Sequence, residues 1–258
     1  MFAVRLACLL IAALVTSPAW GGAPSYSIAG IVNTGNSSPG PFAPNSIVTI
    51  YGTDLSRSTQ ALTLADIRGG RLPTELNYTQ VFVDNTPAPL LYVSPAQINL
   101  LIPADQSIVP AKIKVVTNIG YGPEVVVDIA GAAPALFLAG SYAIATHADN
   151  SLMSLDAPAR AGEIIVLYLT GLGKTTLSLE AGEIPQNAAV IAQLSDLKVW
   201  LDGSALDPDR IKYAGVTPGS AGLYQINLAL PDKIGEDPEI RVSIGAQTSP
   251  AGSKLAVR

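Results

Sequence analysis

The sequence predicts an all-β protein of two tandem immunoglobulin-like β-sandwich domains. The first observation behind this is a repeat. SPAQINLLIP at 94–103 returns as GLYQINLALP at 222–231, NSIVTIYGTDL at 45–55 as GEIIVLYLTGL at 162–172, and VFVD at 81–84 as VWLD at 199–202. The second is the spacing. Ser46 to Glu163 is a step of 117, Asp84 to Asp202 of 118, and Gln97 to Gln225 of 128, so element order is kept and one extra loop separates the copies. A unit of about 100 residues is a duplicated domain, not a solenoid repeat, which recurs every 20 to 50 residues. The third is texture: short runs rich in Val, Ile, Leu, Thr and Tyr are broken by Gly, Pro, Asn and Asp clusters about every ten residues, as in antiparallel sandwiches.

The 258 residues suit two domains, each long enough to bury a core. Charged residues are 14% and apolar residues 48%, which excludes a disordered chain. The net charge of −5 and the lack of a basic run exclude nucleic acid as a partner.

Residues 1–22 read as a secretory signal. Arg5 precedes an apolar run at 6–15, and Thr16-Ser17-Pro18-Ala19 offers small residues for cleavage. The run is too short to span a bilayer, and no second long apolar segment follows it. Cys8, the only cysteine, lies in this leader, so the exported chain is expected to fold on its core without a disulfide. The expected location is extracellular or cell-surface, with the periplasm as an alternative.

The first domain is placed at 26–131 and the second at 134–258, joined by the small-residue connector GAAPA at 131–135. Strands are expected at 47–51, 80–83, 97–102, 112–117, 125–129, 164–169, 198–201, 225–230 and 240–244. In 97–102, Ile98, Leu100 and Ile102 share one face, with Gln97, Asn99 and Leu101 on the other. The run 164–169 is apolar throughout, as in a strand covered on both sides or one whose outer face meets the other domain. Residues 136–158 carry few strand signals, with a loop expected at 147–156. Twenty prolines argue against long helices, and none is expected.

IVNTGNSSPGPFAPNSIVTIYGTDL from Ile31, LPTELNYTQVFVDNTPAPLLYVSPAQIN from Leu72, AAPALF from Ala132 and GEIIVLYLTGLG from Gly162 resemble a family of exported acidobacterial proteins. That family is described as a Solibacter-type uncharacterised C-terminal domain. The resemblance covers about 31–258 and implies the tail of larger secreted proteins, with no assigned chemistry. Pro and Gly spacing before each first strand also resembles the IPT/TIG class of immunoglobulin-like sandwiches, a likeness of fold rather than activity.

Chemistry-bearing residues are sparse. His147, the sole histidine, sits in ATHADNSL beside Asp149 and Asn150; a base steered by Asp149 is the sharp reading and a solvated loop histidine the preferred one. No G-x-S-x-G elbow accompanies it. GLGKT at 171–175 looks like the end of a phosphate loop, but Tyr168 stands where the motif needs glycine, so a tight turn is preferred. Asp202, Asp207, Asp209 and Asp232, Glu236, Asp237 are acidic clusters without calcium-loop spacing, and LDGSALDPD reads as turns. No metal or cofactor is expected. Asn36 and Asn77 match a glycosylation sequon by coincidence.

The candidate ligand-binding residues are Gln97, Asn99, Tyr213, Tyr224, Gln225 and Asn227. Sheet-face amides suit sugar hydroxyls, with Tyr92, Tyr213 or Tyr224 as stacking rings. The competing and preferred reading has the amides bonding the Pro-rich loop before each strand. Trp200, the counterpart of Phe82, is expected in core or interdomain packing. The expected function is a secreted, non-catalytic binding or scaffolding protein that engages an extracellular protein or polysaccharide. The alternatives are a carbohydrate-binding module and, less favoured, an exported hydrolase.

Overall fold

The computed structural model describes residues 21–258, so the leader expected at 1–22 lies almost wholly outside the described residues. Among the described residues, no helix is long and apolar enough to cross a membrane. The only helical elements among them are two three-residue 3-10 turns, Leu194–Asp196 and Pro208–Arg210.

The first half contains β1 (Ser25–Asn33), β2 (Ile47–Thr53), β3 (Gln60–Ala61), β4 (Thr79–Val83), β5 (Thr86–Pro87), β6 (Leu90–Val93), β7 (Gln97–Leu101), β8 (Ala111–Thr117) and β9 (Val125–Val127). They form two antiparallel sheets, ordered β1-β2-β7-β6-β3 and β5-β4-β8-β9. The second half contains β10 (Ala135–Leu136), β11 (Leu138–Ala139), β12 (Tyr142–Ala143), β13 (Ala145–His147), β14 (Ile164–Thr170), β15 (Ala189–Val190), β16 (Leu197–Leu201), β17 (Ser204–Ala205), β18 (Ile211–Val216), β19 (Tyr224–Ala229), β20 (Ile240–Ile244) and β21 (Gln247–Thr248). Its larger sheet runs β10-β14-β19-β18-β15, with β13 also on β14, and its smaller sheet runs β17-β16-β20-β21. From β2 and β14 onward the two orders correspond strand for strand.

Register repeats as well. Tyr51 faces Gln97 and Tyr168 faces Gln225. The register shift between Leu90 and Tyr92 against β7 recurs between Ile211 and Tyr213 against β19. The β4–β5 and β16–β17 hairpins each turn through an aspartate with positive φ, Asp84 at 54° and Asp202 at 45°. A short polar side chain tolerates that region, and here the carboxylate also holds the neighbouring strand. Asp84 Oδ1 accepts from the Lys112 amide and Asp202 Oδ1 from the Glu239 amide, each at 2.9 Å.

Each half closes on its own apolar interior. Phe42, Ile50, Val81, Ile98, Leu100 and Ile113 pack in the first. Ile165, Leu167, Val199, Ile226, Leu228 and Val242 pack in the second. Full burial of such side chains stabilises by about 1.5–3 kcal/mol each, before the opposing chain entropy. The segment expected to be strand-poor, 136–158, holds three short strands and half of β10; β10 and β13 cover the edge of β14, and β11 and β12 pair with each other. Its backbone pairs satisfy that edge although the side chains lack a clean alternation. The all-apolar run in β14 is only partly covered: Ile164 remains 44% exposed, and the outer face meets the first half at Thr170.

The halves dock along a third apolar cluster, Ile47, Leu72 and Leu101 against Ala221, flanked by Leu91, Phe137 and Ile184. A Cβ on Gly222, where φ is +73°, would lie 2.3 Å from Leu101 Cδ2 and 2.9 Å from Ile47 Cγ1, so only glycine permits this approach. Polar groups seal the junction. Thr170 Oγ1 accepts from the Ile47 amide at 3.0 Å and donates to the Gly222 carbonyl at 2.8 Å. Main-chain bonds join Leu72 N to Gly182 O at 2.9 Å and Ile184 N to Gly70 O at 2.9 Å. Tyr224, fully buried, donates its hydroxyl to the Gly173 carbonyl and accepts from Asn45 Nδ2 at 3.2 Å.

Tyr224→Phe leaves the Gly173 carbonyl and the Asn45 amide without that partner inside the junction. It is expected to lower unfolding free energy by about 1–3 kcal/mol in urea titration. An unchanged midpoint would mean that the hydroxyl does not seal the junction.

Candidate functional site

Alternation along β7 places Ile98 and Leu100 in the core, and therefore Gln97 and Asn99 on the outer face. Tyr51 stands opposite Gln97 on β2, and Tyr92 opposite Asn99 on β6. Gln97 Nε2 donates to Asn99 Oδ1 at 2.9 Å, and that oxygen also accepts from Thr49 Oγ1 at 3.1 Å. Tyr51 is 47% exposed.

The second half builds the same cluster. Gln225 Nε2 donates to Asn227 Oδ1 at 2.9 Å, with Tyr168 opposite Gln225 and Tyr213 opposite Asn227. All four are half-buried. Tyr213 has a distinct pose: its hydroxyl donates to the Val216 carbonyl at 2.8 Å, and its ring lies along its own strand over Gly215. A Cβ at Gly215 would be 2.4 Å from the Tyr213 oxygen and 2.8 Å from Cζ. Burial of the phenol pushes its pKa up. Between two rings, each amide pair keeps a carbonyl acceptor on Gln and an N–H donor on Asn, a set that matches vicinal hydroxyls on a flat, weakly polar ring.

The structure thus brings Gln97 and Asn99 together, and Gln225, Asn227 and Tyr213 together. Tyr224 is a correction: it is fully buried in the junction and offers no ring face to a ligand. The loop-bonding job expected of the amides is also corrected. In the first half Ser94 Oγ takes it, accepting from the amides of Ala96 and Gln97 at 3.3 and 2.9 Å. Tyr51 and Tyr168 are not among the ligand-binding residues that the sequence suggests, although the repeat aligns them with each other. Trp200 is a third correction. Val199 and Leu201 take the inward positions of β16, so the indole lies on the outer face and belongs to none of the apolar clusters.

His147 ends β13, and both ring nitrogens are engaged. Nδ1 pairs with Glu163, and Nε2 lies 3.2 Å from the Ala157 carbonyl. Two acceptors suit the doubly protonated ring, and the Glu163 hydrogen bond raises the imidazole pKa. Asp149 does not steer it; its carboxylate accepts from the Ser151 amide at 2.9 Å and hydroxyl at 2.6 Å.

The glycines of GLGKT serve the connector. Cβ atoms on Gly171 and Gly173 would lie 2.1 Å from the Ala133 carbonyl and 2.2 Å from the Gly131 carbonyl. The turn borders a cleft of about 470 Å³ between the halves, lined by Asn45, Arg71, Asp105, Lys174 and Glu180, where Arg71 pairs with Glu180 at 2.5 Å. The acidic clusters have structural partners: Asp207 caps the Asp209 amide, Asp237 accepts from the Tyr142 hydroxyl, and Glu236 pairs with Arg258.

Several solved structures are similar to this chain. The glycan-binding protein SGBP-B of the Bacteroides ovatus mixed-linkage glucan utilization locus, in complex with a mixed-linkage heptasaccharide, aligns at 11% identity. The alignment covers 92% of this chain and 45% of that one, with a TM-score of 0.35. A surface glycan-binding protein of Prevotella bryantii aligns at 14% identity over 90% of this chain and 41% of that one, with a TM-score of 0.27. This chain therefore spans less than half the length of those proteins. Domains 5–6 of the S-layer protein SbsC align at 10% identity over 91% and 98%, with a TM-score of 0.27. No curated protein matches the sequence. Residues 32–126 match the family model of the IPT/TIG domain.

Proposed function

We propose that this chain is a secreted, non-catalytic binding protein of the cell surface or extracellular matrix. In this reading, domains at 26–131 and 134–258 hold polysaccharide on the outer faces of their larger sheets. The observation that carries the reading is the duplicated cluster: Tyr51, Gln97, Asn99 and Tyr92 in one half, and Tyr168, Gln225, Asn227 and Tyr213 in the other, at matching register. The amides bond each other along the strand and leave polar atoms turned outward. Docked halves would hold the two clusters at a constant separation, so one polymer strand could engage both and gain avidity without further contacts.

The test is retardation of the full chain in native gels containing neutral soluble polysaccharides. Tyr51→Ala with Gln97→Ala, and separately Tyr213→Ala with Gln225→Ala, are each expected to weaken retardation about tenfold, roughly 1.4 kcal/mol. Retardation unchanged in both double variants, or absent from every glycan, would overturn the reading.

A hydrolase built on His147 is disfavoured by the engagement of both its nitrogens. The imidazole instead straps the loop after β13 to the start of β14. Its folded pKa lies above the ordinary 6.5, so its stabilisation is full below about pH 6.5 and is lost as pH rises through the folded value. The single histidine is expected to titrate above 6.5 by NMR, and His147→Asn should abolish that part of the pH dependence of the urea midpoint. Titration at or below 6.5 would contradict the strap.

A further inference from the structure

The outer face of the smaller sheet in the second half carries a feature that the Tyr–amide clusters do not use. On β16, Lys198 and Trp200 point outward, while β20 places Ser243 opposite Lys198 and Arg241 opposite Trp200. Indole Nε1 donates to Ser243 Oγ at 2.9 Å, one row away along the sheet. The ring therefore leans over the sheet instead of standing off it. Ser243, although it occupies an outward position, is only 5% exposed beneath this cover. Trp200 itself is half-buried, so part of the indole stays accessible.

Arg241 is held beside it. Its Nε and Nη2 both donate to the Ser249 carbonyl, at 3.1 and 3.0 Å, which fixes the guanidinium plane and leaves Nη1 over. Lys198 is exposed. Neither cation forms an ion pair among the described residues. The matching face of the first half differs at this point. There Phe82 stands opposite Lys114, but Glu124 neutralises Lys114 and Lys112, each at 3.2 Å. Only the second copy combines a flat aromatic ring with uncompensated positive charge, in a chain whose net charge is −5.

We propose that Trp200, Lys198 and Arg241 form a binding site for an anionic polysaccharide of the uronate type. The C–H face of a pyranose stacks on the indole, and the carboxylates of the strand meet Lys198 and Arg241. Charge complementarity selects this occupant over a neutral glycan. A nucleic-acid strand is a poorer fit, because two cations neutralise only about two phosphates and the surrounding chain is acidic. The site is separate from the Tyr–amide clusters and stands whether or not they bind a neutral polymer.

The experiment is native affinity electrophoresis of the full chain in gels containing polygalacturonate. Parallel gels contain highly methyl-esterified pectin, poly-glutamate or single-stranded DNA. The expected result is retardation by polygalacturonate that weakens with added salt, is at least tenfold weaker on the esterified polymer, and is absent on poly-glutamate and DNA. Trp200→Ala and Lys198→Glu should each weaken it at least tenfold, while Lys112→Ala, on the matching face of the first half, should leave it unchanged. Lys198 is exposed, so Lys198→Glu keeps the test valid should Trp200→Ala fail to fold. No retardation by polygalacturonate, equal retardation on esterified pectin, poly-glutamate or DNA, or unchanged retardation in Lys198→Glu would overturn the proposal.

Discussion

The side-chain alternation of β7 and β19 is the constraint on which the surface chemistry of this protein depends. Ile98 and Leu100 in one strand, and Ile226 and Leu228 in the other, are fully buried. A slip of one residue in either strand would expose its two and drive its amides into an apolar interior, where an unpaired polar group is costly. The core therefore holds Gln97, Asn99, Gln225 and Asn227 on the outer faces, and the neighbouring strands bring tyrosines to the same rows. The register shift that sets Tyr92 beside Asn99 and Tyr213 beside Asn227 is retained in both copies.

Docking of the halves rests on close backbone approach. Gly222 lets its loop descend onto Ile47 and Leu101, and Gly171 and Gly173 let the connector lie against their turn. In each case a side chain would occupy the space of a carbonyl or methyl group of the other segment. Once the chains are this close, buried polar atoms must find partners across the junction, and Tyr224, Asn45 and Thr170 supply them. The two-body arrangement is thus specified by hydrogen bonds as well as by apolar contact. Free pivoting would leave those groups unpaired.

Divergence between the copies reaches the outer faces of both sheets. Gly215 permits the flat pose of Tyr213, whereas the first half has Ser94 two residues after Tyr92, and that serine holds its own loop. Glu124 neutralises the lysines beside Phe82, whereas Lys198 and Arg241 beside Trp200 have no such carboxylate. The duplicated scaffold therefore presents two different smaller-sheet faces. A flat indole with uncompensated cations is confined to one of them.

Much of the fold was legible in the chain. The nine expected strands all lie at observed ones, because each carries its own run of β-branched or aliphatic residues and the repeat supplied a second reading of most of them. The edge segments β1 and β10 to β13, and the internal strands β6 and β18, were not foreseen, since their pairing depends on the strands beside them more than on their own pattern. The amide pairs were recognisable as outward-facing, but their partners were not. Local sequence sets which side of a strand a residue occupies, through burial of its neighbours at alternate positions. Tertiary structure alone decided that Tyr224 is sealed in the junction, that Trp200 lies half-buried on the outer face of a sheet, and that His147 answers to Glu163 rather than Asp149. Those outcomes depend on groups 16 to 179 residues away along the chain, which only the folded chain brings within hydrogen-bonding reach.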